Sequence, residues 1–222
     1  TRNYHSVAEN IDDVRTEVAR LRQLGHLITW ATAQQRHPSL RRKRRPDHVL
    51  ALGVVVKRRL SGEKKTRLVI DPSRATARSD GREVLGINDE LPLPSCRLPT
   101  VQQASRAMFP RCWFFLADIV DAYLCTKHSV DSLRLMGVLL DDVLLTYDSL
   151  CFGLKTAPAH QQRLATVFSR IVLRRWAAAG LSIGAVPGHE LVQPFPEPGD
   201  RLCYLFAYLD DFCGIGFATK AE

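Results

Sequence analysis

FAYLDDFCGIG, Phe206 to Gly216, sets Asp210 and Asp211 side by side within an apolar run. Two carboxylates a few ångströms apart repel each other, and each is costly to desolvate unless a positive charge compensates. The residues on either side, Leu202–Leu209 and Phe212–Phe217, read as two apolar strands. Together they predict a hairpin whose turn presents both acids to a neighbouring strand. The dipeptide decides little alone, because Asp12-Asp13 and Asp141-Asp142 also occur. The reading depends on a third carboxylate, a basic surface and a fold that joins them.

Upstream, WFFLADIV (Trp113–Val120) reads as a buried strand that delivers Asp118 at its end. Leu133–Leu150 reads as a second hairpin with Asp141-Asp142 at its turn, where solvent exposure accounts for both acids. Thr156 and Pro158 open a helix whose Leu164, Val167, Phe168, Ile171 and Val172 are expected to form its core stripe. The stretch 180–200 holds four Gly and four Pro and reads as a loop-like insertion.

In the first third of the chain, Ser6-Val7-Ala8-Glu9 has the pattern of a capping box. Val7, Ile11, Val14, Val18 and Leu21 follow at helical spacing, with Gly25 as the expected stop. LRRKRRPDHV (Leu40–Val49) contains five consecutive cations, a pattern suited to nucleic acid, to a nuclear import signal or to a solvated loop. Leu50–Asp71 predicts a β-hairpin with Lys57, Arg58, Arg59, Lys64, Lys65 and Arg67 towards its tip, a form that suits phosphate binding. Residues 72–100 carry four prolines and read as an extended crossing.

Composition narrows the class. The chain has 222 residues, 45% of them apolar, so it is long enough for a substantial core and disorder is excluded as the default. No apolar run approaches the roughly 18–20 residues that cross a bilayer, and Thr1–Asn10 lacks the features of a secretory signal. A start without Met suggests an excised domain or a piece of a longer reading frame. The six cysteines contain no C-x-x-C pair, which opposes a zinc knuckle or disulfide framework and favours buried free thiols in a reducing compartment. Residues 1–111 hold 22 Lys and Arg against 11 Asp and Glu, a charge of +11, whereas residues 112–222 hold 9 against 12, a charge of −3. Such a split suggests a polyanion gripped by the first half and metal or acid chemistry in the second.

Phosphodiester chemistry through two metals needs carboxylates that hold two Mg²⁺ ions roughly 3.5–4 Å apart. Mg²⁺ prefers hard oxygen and keeps positions for water and substrate phosphates. Asp118 at a strand end and Asp210 in the hairpin turn are the expected pair, with Asp211 completing or tuning the site.

In chain order, several segments resemble the reverse transcriptases of retroelements. LRQLGHLI (Leu21–Ile28) resembles the family's N-terminal helix and its Gly-x-Ile turn, and RLVID (Arg67–Asp71) its R-x-V-x-D motif. ELPLPS (Glu90–Ser95) is similar to the link into the palm, and LADIVDAY (Leu116–Tyr123) to the first catalytic motif. LCFGLKTAP (Leu150–Pro158) resembles L-P-F-G-L-x-x-x-P, with Cys151 in place of proline, and FAYLDDF (Phe206–Phe212) resembles Y-x-D-D.

The resemblance implies an α+β right-hand polymerase core with an antiparallel palm sheet and packed helices. Fingers are expected at about 1–92 and 126–156 and palm at about 93–125 and 157–222, with the thumb and any RNase H domain beyond Glu222. It implies RNA-directed DNA synthesis by a retrotransposon enzyme, with an RNA template, a DNA primer, dNTPs and two Mg²⁺ ions, Mn²⁺ being a substitute. Asp118, Asp210 and Asp211 would be catalytic, and the Ile119 carbonyl would join them as a metal ligand. Arg67 would clamp the triphosphate with Arg58 or a neighbouring cation, Asp121 would touch the substrate, and Tyr123 would exclude a 2′-hydroxyl. Phe152 and Gly153 would lie beside the nascent base pair; for Lys155 and Gln162 a structural role is expected. The rest of a retroelement polyprotein would accompany the chain, away from membranes, in nucleus or cytoplasm. An inactive nucleic-acid-binding relic, a two-metal nuclease and an RNA-dependent RNA polymerase are the rival readings; the last is disfavoured by Tyr123.

Overall fold

In the computed structural model the described residues are 2–58, 60–74, 76–77, 83–96, 98–108, 112–181, 183–184 and 203–216. In chain order they form α1 (His5–Glu9), α2 (Ile11–Gln23), β1 (Leu27–Thr29), α3 (Trp30–Arg36), β2 (Val49–Arg58), β3 (Lys64–Asp71), β4 (Thr76–Ala77), β5 (Glu83–Val84) and α4 (Ile87–Glu90). There follow α5 (Val101–Arg106), β6 (Trp113–Asp118), α6 (Val130–Leu133), β7 (Gly137–Leu140), β8 (Val143–Tyr147), α7 (Ala157–Ala178), β9 (Tyr204–Tyr208) and β10 (Asp211–Gly216). The class is mixed α+β. No helix among the described residues is long and apolar enough to cross a membrane.

The chain divides into two units. The first comprises Thr1–Leu93 and Tyr123–Ala157, the second Pro94–Ala122 and Pro158–Glu222.

In the first unit, a five-stranded sheet runs in the order β1-β8-β7-β2-β3, with β2 and β7 parallel and the other neighbours antiparallel. The stripe read from the sequence lies against it: Val7, Val14, Val18 and Leu21 are buried in one cluster with Leu52, Leu68, Val138 and Leu145. Each such side chain contributes roughly 1.5–3 kcal/mol on burial. Gly25 ends the stripe with φ +72, the left-handed conformation expected just past a helix. The expected capping box is absent. α1 starts at His5 after Tyr4 with no side-chain cap, and the Ser6 hydroxyl instead accepts the Val54 N–H at 3.3 Å. The hydroxyl thus serves a strand N–H rather than the helix end. A reciprocal capping box occurs at Thr100 and Gln103, at the start of α5.

The hairpin predicted over Leu50–Asp71 is β2–β3, paired from Ala51↔Asp71 to Arg58↔Lys64. The second is β7–β8, where Asp141 (φ +47) and Asp142 (φ +59) form the turn. Arg15 on α2 donates from Nε to the Asp141 carboxylate at 2.8 Å, so this acid has a structural partner as well as exposure.

In the second unit, β10 lies between β6 and β9 in an antiparallel three-stranded sheet. Two expectations are corrected here. Trp113–Asp118 is exposed along its whole length rather than buried, and among the described residues β6 pairs with β10 alone. The α7 stripe is met only in part: Val172 packs as expected, but Val167, Phe168 and Ile171 are about half exposed. Gln162, Ala165 and Ser169 are buried instead, and Val172, Leu173 and Trp176 continue the packing against Leu205, Ala207 and Phe212. Small residues at Ala165 and Ala207 let the helix backbone approach the sheet closely, a demand that apolar periodicity does not reveal. The insertion expected over 180–200 falls mostly outside the described residues, as does Phe217. None of the six cysteines forms a disulfide, but only Cys151 and Cys203 are buried, so the expectation of buried thiols holds for these two alone.

Candidate active site

The hairpin β9–β10 brings its acids to the end of β6. Asp211 is the register partner of Asp118 on one side and of Tyr208 on the other. Directly opposed residues of an antiparallel pair share a face, with Cα atoms roughly 4.5–5.5 Å apart. Asp210 occupies the turn, and its carbonyl accepts the Ile119 N–H at 3.0 Å, which ties the turn to the chain just past Asp118. Asp118 and Asp211, 93 residues apart in sequence, are therefore opposed at one sheet end, with Asp210 in the adjoining turn. Ile119 packs its side chain against the α7 cluster.

The turn is strained and held. Leu209 has φ +57, a conformation that costs a non-glycine residue of order 1 kcal/mol or more. Gln162, buried on α7, clamps it: its Nε2 donates to the Ala207 carbonyl and its Oε1 accepts the Leu209 N–H, each at 2.8 Å. One side-chain amide thus satisfies backbone groups on both sides of Tyr208. Gln162→Leu removes both partners and leaves an N–H and a C=O without them in the interior. A loss of about 2–3 kcal/mol is expected in urea unfolding, with Gln162→Glu recovering only the bond from Leu209. An unchanged unfolding midpoint in Gln162→Leu would show that the clamp is not needed.

Electrostatics marks the same spot. Desolvation first, then the negative charges of Asp210 and Asp118, push the Asp211 carboxyl above the ordinary carboxylate range. No cation of the described residues contributes to that balance. The folded chain therefore holds this proton more tightly than the unfolded chain does. Ionisation of Asp211 weakens the fold as pH rises through its folded pKa, and the penalty is absent below the unfolded value. Asp211→Asn is expected to raise the melting midpoint at about pH 7 and to leave it unchanged at about pH 3. Circular-dichroism melts at the two pH values check this, and no gain at the higher one would refute it.

Carboxylates are hard oxygen donors, the kind that Mg²⁺ prefers. Among the described residues no group of three or more His, Cys, Asp or Glu side chains closes into a metal cage. The acids instead form an open edge, beside an apolar hollow of about 550 Å³ bordered by Val101, Leu116, Phe206 and Tyr208. An open carboxylate edge suits Mg²⁺, which is held by one or two carboxylates and keeps water or substrate oxygens for the remainder.

The other candidates lie mainly in the first unit. Arg67, exposed on β3, sets its guanidinium 5.6 Å from the centre of the Phe152 ring. That ring lies 4.9 Å from the ring of Tyr123. Gly153 follows with φ +116 and lies against the carbonyl of Ile70 on β3. Arg58 does not join this group. It pairs with Lys64, three residues from Arg67, so strand alternation turns it to the opposite face of the hairpin. Lys65, and Lys57 opposite it, share the Arg67 face. Asp121, in the second unit, is half-buried in a turn with φ +53.

Sequence reading missed Asn88. This buried side chain donates from Nδ2 to the Ser73 hydroxyl at 2.8 Å and to the Gly153 carbonyl at 2.9 Å. Its Oδ1 accepts the Lys155 N–H at 2.9 Å, and its own N–H donates to the Pro72 carbonyl at 3.0 Å. It thereby joins the end of β3 to the loop that carries Phe152 and Gly153. The available signal was slight, since Asn88 stands between Ile87 and Asp89 in GINDEL, inside a stretch read only as a crossing.

No protein-family model and no curated protein matches the chain. Solved structures do match. The foamy viral protease-reverse transcriptase in complex with an RNA/DNA hybrid aligns over 100% of this chain and 21% of that one, with a TM-score of 0.56 at 14% identity. The same type of protein in complex with double-stranded DNA aligns over 99% and 33%, with a TM-score of 0.54 at 14% identity. The native prototype foamy virus protein aligns over 96% and 20%, with a TM-score of 0.50 at 13% identity. The chain thus spans between 20% and 33% of the length of these neighbours. At such identities the likeness is one of fold, and the fold is reverse-transcriptase-like.

Proposed function

We propose that the chain is the fingers–palm core of an RNA-directed DNA polymerase from a retrotransposon. The observation that carries this reading is the pairing of Asp211 with Asp118 while Asp210 holds the adjoining turn. An RNA template, a DNA primer and dNTPs are the proposed partners, in the company of the rest of a retroelement polyprotein.

In this reading Asp118, Asp210 and the Ile119 carbonyl hold two Mg²⁺ ions, or Mn²⁺ in their place, with Asp211 assisting at the primer end. Bound there, the ions supply activation of the attacking hydroxyl and neutralisation of charge at the transferred phosphoryl group. The remaining work belongs to the chain. Gln162 keeps the acidic turn in one conformation. Arg67 offers two parallel N–H donors to the triphosphate, a geometry that Lys cannot copy. Lys57 or Lys65, on the same face, takes the assisting place rather than Arg58. Phe152 supports both Arg67 and Tyr123, and the Tyr123 ring excludes a 2′-hydroxyl. Gly153 allows the backbone to approach the nascent base pair, while Asp121 remains a candidate substrate contact. Positioning and fixed charge carry the reaction, with no covalent intermediate.

Primer extension on an RNA template, run beside Mn²⁺ binding followed by paramagnetic resonance, tests the proposal. Template-directed addition of dNTPs in preference to rNTPs, by a chain that binds Mn²⁺, is expected. Strand cleavage without addition would reassign the acids to a two-metal nuclease. Neither addition nor metal binding would leave a nucleic-acid-binding relic.

A further inference from the structure

The five cations Arg41–Arg45 take no part in the site described above. A run of this kind has two principal uses: contact with a phosphate backbone, or display as an extended peptide in the acidic groove of a transport receptor. The two demand different conformations. Backbone contact suits a loop fixed in place, whereas a threaded signal must be free to extend.

The loop is fixed from both ends. The Lys43 carbonyl accepts the Gln34 amide at 2.7 Å and the indole N–H of buried Trp30 at 3.3 Å. The Lys43 N–H donates to the Leu40 carbonyl at 3.0 Å. Beyond the run, Pro46 is fully buried and the Asp47 N–H donates to the Arg134 carbonyl at 2.7 Å. Extending the run would break these bonds and withdraw Pro46 from the interior.

Charge is divided just as unevenly. Asp47 binds the Lys43 ammonium at 2.6 Å and the Arg134 guanidinium at 2.5 Å. Partial burial pushes the Asp47 carboxyl up, but those two cations outweigh it and hold it below the ordinary carboxylate range. The acid is therefore committed to its own loop. Arg42, Arg44 and Arg45 are exposed and have no carboxylate partner among the described residues. Arg44 and Arg45 line a hollow of about 840 Å³ together with Lys43, Arg134, Asp47 and Glu90, four cations against two acids.

We propose that this pinned loop is a nucleic-acid contact surface, in which Arg42, Arg44 and Arg45 bind successive phosphates of one strand. The proposal rests on the reading that nucleic acid is the partner, and adds where in the first unit it is held. Contact is with the backbone and independent of base sequence.

The test is the salt dependence of binding of the intact chain to a fluorescent single-stranded RNA of mixed sequence. R42Q/R44Q/R45Q is expected to make the slope of log K against log salt shallower by about 2, and to weaken binding about tenfold or more at roughly 0.1 M salt. R42K/R44K/R45K is expected to keep the wild-type slope, since charge is what the phosphates read. Superimposable far-ultraviolet circular dichroism of both triple variants checks the fold. An unchanged slope in the glutamine variant, or equal loss in both variants, would overturn the proposal. So would an unchanged RNA slope accompanied by lost capture on a receptor with an acidic peptide groove, which would make the run a transport signal. The outcome separates from that of primer extension. Slope loss in a chain that never extends a primer keeps this surface and sinks the polymerase reading. Normal extension with an unchanged slope does the reverse.

Discussion

Asp210→Asn is expected to lower primer extension about a thousandfold or more, while RNA binding and the folded state persist. The substitution keeps the shape of the side chain and changes only its charge. Its backbone carbonyl still accepts the Ile119 N–H, and Gln162 still clamps the residues before the turn. Removal of one of the charges that raise the Asp211 carboxyl relieves repulsion, so stability is held or improved. The loss falls on metal retention and on neutralisation of the phosphoryl group, which is worth several kcal/mol; about 4 kcal/mol corresponds to the stated factor. Single-turnover extension measures the rate, and paramagnetic resonance measures Mn²⁺ retention. Asp142→Asn, at the β7–β8 turn, is the matched control and leaves both unchanged. If Asp210→Asn extends primers like the wild type, the assignment of the acids is wrong.

Gly153→Ala is expected to destabilise the first unit by about 3 kcal/mol or more and to lower its melting midpoint by roughly 6–12 °C. Two separate costs combine. At φ +116 a side chain is strained whatever space surrounds it, and here a Cβ would collide with the Ile70 carbonyl on β3. That obstacle is backbone within a paired strand and cannot rotate away. To make room, the loop must leave β3, which breaks the bond from the Ile70 N–H to the Phe152 carbonyl (3.3 Å) and the bond from Asn88 to the Gly153 carbonyl. Phe152 then loses its place beneath Arg67 and beside Tyr123, so dNTP binding is expected to weaken along with stability. Gly62→Ala provides the contrast. It has φ +84 at an exposed turn with nothing within 4 Å of an added Cβ, and is expected to cost only about 1 kcal/mol. Thermal melts of the two variants compare strain alone with strain plus collision. Equal midpoints would show that the loop adapts.

Much of this molecule was legible from pattern. The N-terminal stripe, both hairpins and the two apolar strands around Asp210-Asp211 follow from periodicity and turn chemistry, which act over a few residues. Burial was less legible. The apolar run Trp113–Leu116 is exposed on β6, and whether such a run is covered depends on neighbours supplied from elsewhere in the chain. The same limit applies to α7, where hydrophobicity counts towards Val167, Phe168 and Ile171 while the sheet admits the smaller face through Ala165 and Ser169. Asn88 is the extreme case, because its four hydrogen bonds join segments up to 67 residues away and leave no local period.

By itself the sequence determined which residues are carboxylates, where the strands turn and the basic first half. Each of these follows from local chemistry and spacing. Tertiary structure alone decided that Asp118 faces Asp211, that Arg58 turns away from Arg67, and that Arg44 and Arg45 have no carboxylate partner among the described residues beside an occupied Asp47. The reason is physical: register and charge pairing are set between segments distant in sequence, and a shift of one residue sends a side chain to the other face.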